Sequence, residues 1–375
     1  MSRRKPAEPT AAAEADPYAP RRNPDLRGHE TAEALLLDAW GGGRMHHAWL
    51  IGGPPGVGKA TLAYRFARFV LSQTEQGDDA GGLFGAPPPL RSMAVSAESP
   101  VFRRVAAAGH ADLMTVERER DEKKNRLKRD IAVDDVRRIA PFLHMTAGEG
   151  GWRVAIIDGA DRMNLNGMNA ILKILEEPPP RALLLLVSDN PGGLLPTIRS
   201  RTRKLALNPL PEETVVTLLN RYRPDLSDHD RVVLAHLAEG SIGRATALAD
   251  AGGLALYREM LDLLSGLPRL DAAAVQAFAE KIGRSGADEL YETATELLTW
   301  WLARLARAMA QGALPPETTP GEGALIARLA AAGGLERWMQ VWEKTAREFA
   351  RAEAANLDKI LVVASALAAL ESAAA

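Results

Sequence analysis

Cysteine is absent from all 375 residues. That excludes disulfides and thiolate zinc sites. It fits a reducing compartment, and the expected location is the cytoplasm. A large charge excess is also missing: 46 Lys and Arg stand against 48 Asp and Glu, a formal net charge of −2. A strongly basic nucleic-acid binder is thereby excluded, although a local patch can still meet phosphate. No apolar run reaches the ~20 residues that span a bilayer. The most apolar stretch near the end, "ILVVASALAAL", is too short, so no membrane partner is expected. The opening "MSRRKPAEPTAAAEADPYAP" has charge but no apolar h-region of a secretory signal. Its Pro, Ala and Glu content reads as a disordered leader over residues 1–20.

What is present is ample core material. Apolar residues make up 46% of the chain, and its length suggests two or three domains. Up to Pro209, strand-like and helix-like stretches alternate. "HAWLIGG", "ADLMTV", "WRVAIIDGAD", "RALLLLVSDNP" and "RKLALNPL" are the expected strands. "KATLAYRFARFVLS", "VDDVRRIAPFLHM" (with Asp134 as N-cap and a kink at Pro141) and "NLNGMNAILKILEEPPP" are the expected helices. Such alternation indicates a parallel sheet covered on both faces. After Pro209 the strands stop. Residues 210–267 read as short helices and 268–375 as longer amphipathic ones, giving α/β followed by all-α. The charged run "ERERDEKKNRLKRD", residues 117–130, reads as a solvated hairpin or loop, with a DNA-facing patch as the other reading.

The stretch "GPPGVGKAT" carries the chemistry: Gly53, Pro54, Pro55, Gly56, Val57, Gly58, Lys59, Ala60 and Thr61. It follows an apolar strand and opens a helix, the context a phosphate loop requires. Glycines let backbone N–H groups converge on phosphate oxygens, and the helix N-terminus adds partial positive charge. Lys59 would reach the outer phosphates of ATP or ADP. The alternative is a glycine-rich turn kept for packing. The hydroxyl that normally binds Mg²⁺ right after the lysine is missing, because Ala60 stands there. Thr61 is rotated by ~100° on a helix and does not simply replace it. Mg²⁺ is therefore expected to bind only weakly.

"VAIIDGAD" places Asp158 at a strand's carboxyl end, where ligands gather in open α/β sheets. Its role would be Mg²⁺, through water. The position after it, which in many ATPases holds the carboxylate that activates water, is Gly159. Loss of a positioned acid–base group costs ~10²–10⁴ in rate. The groups that hold phosphate are retained and the groups that cleave it are not. His46 and His47 read as a polar cap before the first strand rather than metal ligands, and no metal or zinc site is expected.

The order of "NPDLRGHE", "HHAWLIGGPPGVGKATLAYRFA", "HADL", "WRVAIIDGADRMN", "NAILKILEEPPPRALLLLVSDNP", "LLPTIRSRTRKLAL" and "GSIGRA" resembles bacterial clamp-loader subunits of the delta-prime type. The resemblance covers residues 20–250 well, and the later helices only in length and character. It implies an AAA+ module over 21–209, a helical lid over 210–267 and a C-terminal collar over 268–375. It also implies a ring with gamma/tau-like and delta-like partners, indirect action on the sliding clamp, and contact with primed DNA through the assembled ring. Relatives carry Ser-Arg-Cys. Here Ser200 and Arg201 match and Thr202 replaces cysteine, so Arg201 resembles an arginine finger aimed at a neighbour's ATP site. The other reading is a surface arginine between Arg199 and Arg203. Arg244 in "GSIGRA" resembles a nucleotide-sensing lid arginine or, equally, a helix-surface arginine. Ser188 and Asn190 both remain open as the sheet-end sensor. The zinc module of many relatives is replaced by a cysteine-free stretch, expected to be a flexible insertion over 73–100. Two rival functions remain: an active gamma/tau-like AAA+ motor, and a P-loop small-molecule kinase.

Overall fold

A computed structural model describes residues 16–43, 45–73, 92–121, 126–355 and 357–375. They form two compact units, residues 1–215 with 240–243, and residues 216–239 with 244–375. The expected lid and collar segments thus fall largely within the second unit, and a four-residue return, Gly240–Gly243, belongs to the first.

The first unit is built on a five-stranded sheet. Its strands are β1 (Ala48–Gly52), β2 (Leu113–Val116), β5 (Arg153–Asp158), β6 (Ala182–Ser188) and β7 (Arg203–Ala206). They lie in the order β2-β5-β6-β1-β7, every pairing parallel. A separate antiparallel ribbon, β3 (Arg120–Asp121) with β4 (Arg126–Leu127), occupies the charged run and fulfils the hairpin reading. Glu119 and Lys128 pair at its base, 2.5 Å apart.

The central strands read as continuous apolar runs because both faces are covered. Trp49, Ile51, Val154, Ile156, Leu183, Leu185 and Val187 enter one core, with Leu62, Phe66 and Val70 of the helix Lys59–Ser72. Ala48, Leu50, Ala155, Ile157, Leu184 and Leu186 enter the other, with Ile171, Ile174 and Leu175 of the helix Leu165–Glu176. Period-two alternation therefore decides which core a residue joins. Each buried Leu or Ile contributes ~1.5–3 kcal/mol, so a dozen such side chains fix the strand ends that carry the site.

Two local readings change. Asp134 does not cap its helix; Val133–Arg137 starts from Ala132, and Asp134 instead pairs with Arg137 at 3.0 Å. The run also divides at Arg138 into Val133–Arg137 and Ile139–His144. Pro141 lacks an N–H and its ring opposes the carbonyl four residues back, at Arg137, which explains the break there.

Residues 1–15 of the expected leader and 74–91 of the expected insertion lie outside the described residues. Asp16 to Pro20 form turns, with the Tyr18 N–H donating to the Asp16 carboxylate at 2.8 Å. The insertion is anchored at its far end. Met93 is fully buried and its N–H donates to Glu33 at 2.9 Å. Ser99 caps the helix Pro100–Ala106 by accepting from the Phe102 N–H.

The second unit is helical. Trp301, Leu297 and Leu305 of Asp288–Gln311 are fully buried, as are Trp338 and, on Lys359–Ala374, Leu367 and Leu370. After residue 334 come two helices, Leu335–Ala355 and Lys359–Ala374. Asp358 caps the second by accepting from the Ile360 and Leu361 N–H groups. Among the described residues no helix is long and apolar enough to cross a membrane.

Candidate phosphate-binding site

Strand β1 ends at the topological switch point of the sheet, between β6 and β7, where open α/β sheets bind ligands. The loop Gly53–Gly58 leaves it there and turns into the helix Lys59–Ser72. Gly56 (φ 72°) and Gly58 (φ 105°) adopt left-handed backbone that side chains disfavour. A Cβ on Gly53 would lie 2.4 Å from the carbonyl oxygen of Leu207. Glycine is therefore required at Gly53 by packing and at the other two by conformation.

The loop's carbonyls are held by protein donors. The Pro54 carbonyl accepts from the Lys59 ammonium at 2.5 Å and the Pro55 carbonyl from the Ser241 hydroxyl at 2.8 Å. The Gly56 carbonyl accepts from the Gly243 N–H at 2.9 Å. His29 Nε2 lies 2.6 Å from the Val57 carbonyl. A carbonyl only accepts, so this nitrogen carries the proton. Pro54, Pro55 and Gly56 form an exposed crest over the buried Val57. "GSIG" thus serves as a brace for the loop, a role its sequence did not signal.

Lys59 is 4% exposed, and its ammonium lies 2.7 Å from the Asp189 carboxylate. Asp189 stands one residue beyond β6. Sequence reasoning passed it over in favour of Ser188 and Asn190, although β6 beside β1 makes every residue at that strand end a neighbour of the loop. Ser188 is fully buried and pairs in register with Gly52. Asn190 is exposed and opens the turn Pro191–Gly193. Asp161 holds Asp189 in place by accepting its N–H at 3.0 Å.

Asp158 ends β5 beside this group. Burial, reinforced by the carboxylates of Glu117 and Asp189, pushes it up to about 6, against the pull of Lys59 and Arg118. Glu117 also pairs with Arg21 at 3.1 Å, and Arg21 reaches the Tyr64 hydroxyl at 3.5 Å. Gly159 has φ 85°, and an added Cβ would meet Arg162 Cγ at 3.4 Å. A side chain at this position would be held in left-handed backbone, which residues with a Cβ disfavour.

These residues fit a phosphate group: a glycine loop, a helix N-terminus and a buried lysine converge at one strand end. They fit a divalent metal poorly. Ala60 offers no oxygen, Thr61 is half-buried one position further round the helix, and Asp158 shares its surroundings with an ammonium. Among the described residues no cluster of His, Asp or Glu has metal-binding geometry. His46 and His47 stack at 4.4 Å and bond backbone carbonyls, His46 that of Ala48 at 2.8 Å and His47 that of Leu175 at 3.1 Å. They cap strand and helix ends.

Arg201 is the C-cap of the helix Pro196–Ser200, two residues before β7. Its guanidinium donates to the Thr197 carbonyl at 3.2 Å and pairs with Glu176 at 3.0 Å, still 37% exposed. Thr202, in place of cysteine, is buried and returns its hydroxyl to the Ile198 carbonyl at 3.0 Å. Arg244 belongs to the second unit, where it pairs with Glu296 at 2.7 Å and approaches Glu239 at 3.7 Å.

A parallel sheet with a glycine-rich loop at its switch point, followed by a helical C-terminal part, has the geometry of a P-loop α/β fold. Residues 28–211 match the family model described as DNA polymerase III, delta subunit. The subunit delta' of Pseudomonas aeruginosa is 38% identical over 180 residues, 48% of each chain. That of Escherichia coli is 32% identical over 213 residues, 57% of each. The gamma/tau subunit of Mycobacterium tuberculosis is 31% identical over 204 residues, 54% of this chain and 32% of the other. The matched region thus spans about half the length of the delta' relatives.

Proposed function

We propose that the chain is the non-motor, delta-prime-type subunit of a clamp loader. It would assemble with gamma/tau-like and delta-like subunits and help place a sliding clamp on primed DNA. The loop around Lys59 grips ATP or ADP but cleaves it poorly. Arg201 is offered to the ATP on a neighbouring motor subunit, where a guanidinium at developing phosphate charge contributes ~10³–10⁵ in rate.

The observation that carries this reading is the contrast between Gly159 and Arg201. The site's own hydrolytic position is a glycine in left-handed backbone. The one arginine of the Ser-Arg-Thr turn is partly exposed and held by two contacts. A gamma/tau-like motor would need a carboxylate where Gly159 stands. A small-molecule kinase is disfavoured by the helical second unit.

The test is a ring rebuilt with Arg201→Ala. ATP turnover stimulated by clamp and DNA should fall at least about tenfold while the ring still assembles. Unchanged turnover in an intact ring removes the finger assignment.

A further inference from the structure

The second unit contains a pocket that the clamp-loader reading does not use. Its volume is about 210 Å³, and one face of the helix Asp288–Gln311 forms its wall, through Trp300, Arg304, Arg307 and Gln311. His236, Glu239, Ala313 and Pro315 complete its lining. Leu314, between these last two, is 56% exposed.

Arg304 is 5% exposed and braced from behind. It lies 3.3 Å from the fully buried carboxylate of Glu322, which also accepts from the Tyr257 hydroxyl and the Thr318 N–H. Arg304 Nη1 lies 2.5 Å from His236 Nε2. A guanidinium only donates, so His236 accepts at Nε2. This arrangement holds a rigid cation against the pocket floor, stacked 5.2 Å from the Trp300 ring.

Hydrogen-bond donors dominate the lining. The Trp300 indole N–H is buried and has no hydrogen-bond partner among the described residues. Arg307, 57% exposed in its side chain, spends one donor on the Ala303 carbonyl and one on Glu239 at 3.1 Å, leaving others of its fork. Glu239 is itself held in left-handed backbone at φ 47°, the kind of strain that gathers at functional positions. Its exposed pair with Arg307 is weak in water and can be displaced by a better-buried anion.

We propose that this pocket binds a carboxylate presented by a short acidic peptide. The donor surplus calls for an oxyanion, and guanidinium forks match carboxylates two-point. The charge balance favours a monoanion over a phosphate, because Glu239 and Glu322 already offset Arg307 and Arg304. The volume is below the ~300–1,000 Å³ of pockets that enclose whole small ligands. It suits the tip of a longer molecule, with Leu314 and Pro315 meeting an apolar neighbour on the incoming chain.

The experiment is calorimetric titration of the full-length chain with three probes at matched ionic strength: a peptide ending in Leu-Glu, free glutarate and inorganic phosphate. The peptide should bind, glutarate more weakly, and phosphate not at all at the same concentrations. Arg307→Ala should weaken peptide binding at least about tenfold, the scale of a lost charged hydrogen-bond pair. Trp300→Phe keeps the ring but not the N–H, and should weaken it severalfold. Circular dichroism of both variants confirms that the helices persist. Glutarate binding as tightly as the peptide assigns the site to a free carboxylate and overturns the peptide source. Preference for phosphate, or equal peptide affinity in folded Arg307→Ala and Trp300→Phe, overturns the carboxylate site itself.

Discussion

The ammonium of Lys59 lies 2.7 Å from the carboxylate of Asp189 and 2.5 Å from the carbonyl of Pro54. The lysine that would grip a phosphate thus already holds an anion of its own chain, and that anion is fixed in turn by Asp161. A nucleotide's outer phosphates must compete with Asp189 for the same cation.

Asp189→Asn should therefore tighten binding of ADP. Asp189 is 41% exposed, so solvent screening keeps the competing pair near ~0–1 kcal/mol. The gain is limited to about fivefold. Equilibrium titration with a fluorescent ADP analogue measures it. A weaker affinity in the variant means that Asp189 assists the ligand and that the competition is absent.

Asp158 gives the fold a pH dependence of definite sign. Its carboxyl is held up at about 6 by burial and by Glu117 and Asp189, against ~3.9 in an unfolded chain. The folded state then binds the extra proton, and this contribution to stability is lost as pH rises from ~4 through ~6. The loss amounts to roughly 2–3 kcal/mol above that range. Asp158→Asn should be the more stable protein at pH 8 by an amount of this order, with the difference shrinking towards pH 4. Urea melts at the two pH values decide the matter; a gap that is equal at both contradicts it.

Restoring the missing carboxylate should fail to restore catalysis. Gly159→Glu forces a side chain into φ 85° with a Cβ against Arg162. The strain costs about 1–3 kcal/mol, visible as a lower denaturation midpoint. Turnover by the isolated variant should stay at the wild-type level. A variant that hydrolyses ATP at a rate above wild type shows that chemistry alone, and not backbone shape, closed the site.

Much of this was legible before any coordinates. The central strands β1, β5 and β6 declared themselves as apolar runs, because burial on both faces leaves no polar alternation to obscure them, whereas the edge strand β7 is exposed at Arg203, Lys204 and Ala206. The phosphate loop was readable from glycine spacing and from the strand and helix on either side. Asp189 was not, since its importance comes from β6 lying next to β1, a pairing between residues more than a hundred positions apart. The bracing of the loop by Ser241 and Gly243 was hidden for the same reason. The break at Arg138 needed the carbonyl opposed by Pro141 to be identified, and Asp134 has the composition of a cap without the position of one. The buried pair of Arg304 and Glu322 joins two separate helices, so the pattern of neither helix alone revealed it.

The account rests on a cradle that holds phosphate without cleaving it, and steady-state ATP turnover by the isolated full-length chain with Mg²⁺ tests that most directly. The expected rate is far below the ~1 s⁻¹ floor of ordinary enzymes, even though the chain binds ADP and Lys59→Ala abolishes that binding. Turnover of about 1 s⁻¹ or more, lost on Lys59→Ala, would make the chain a motor in its own right and contradict the account.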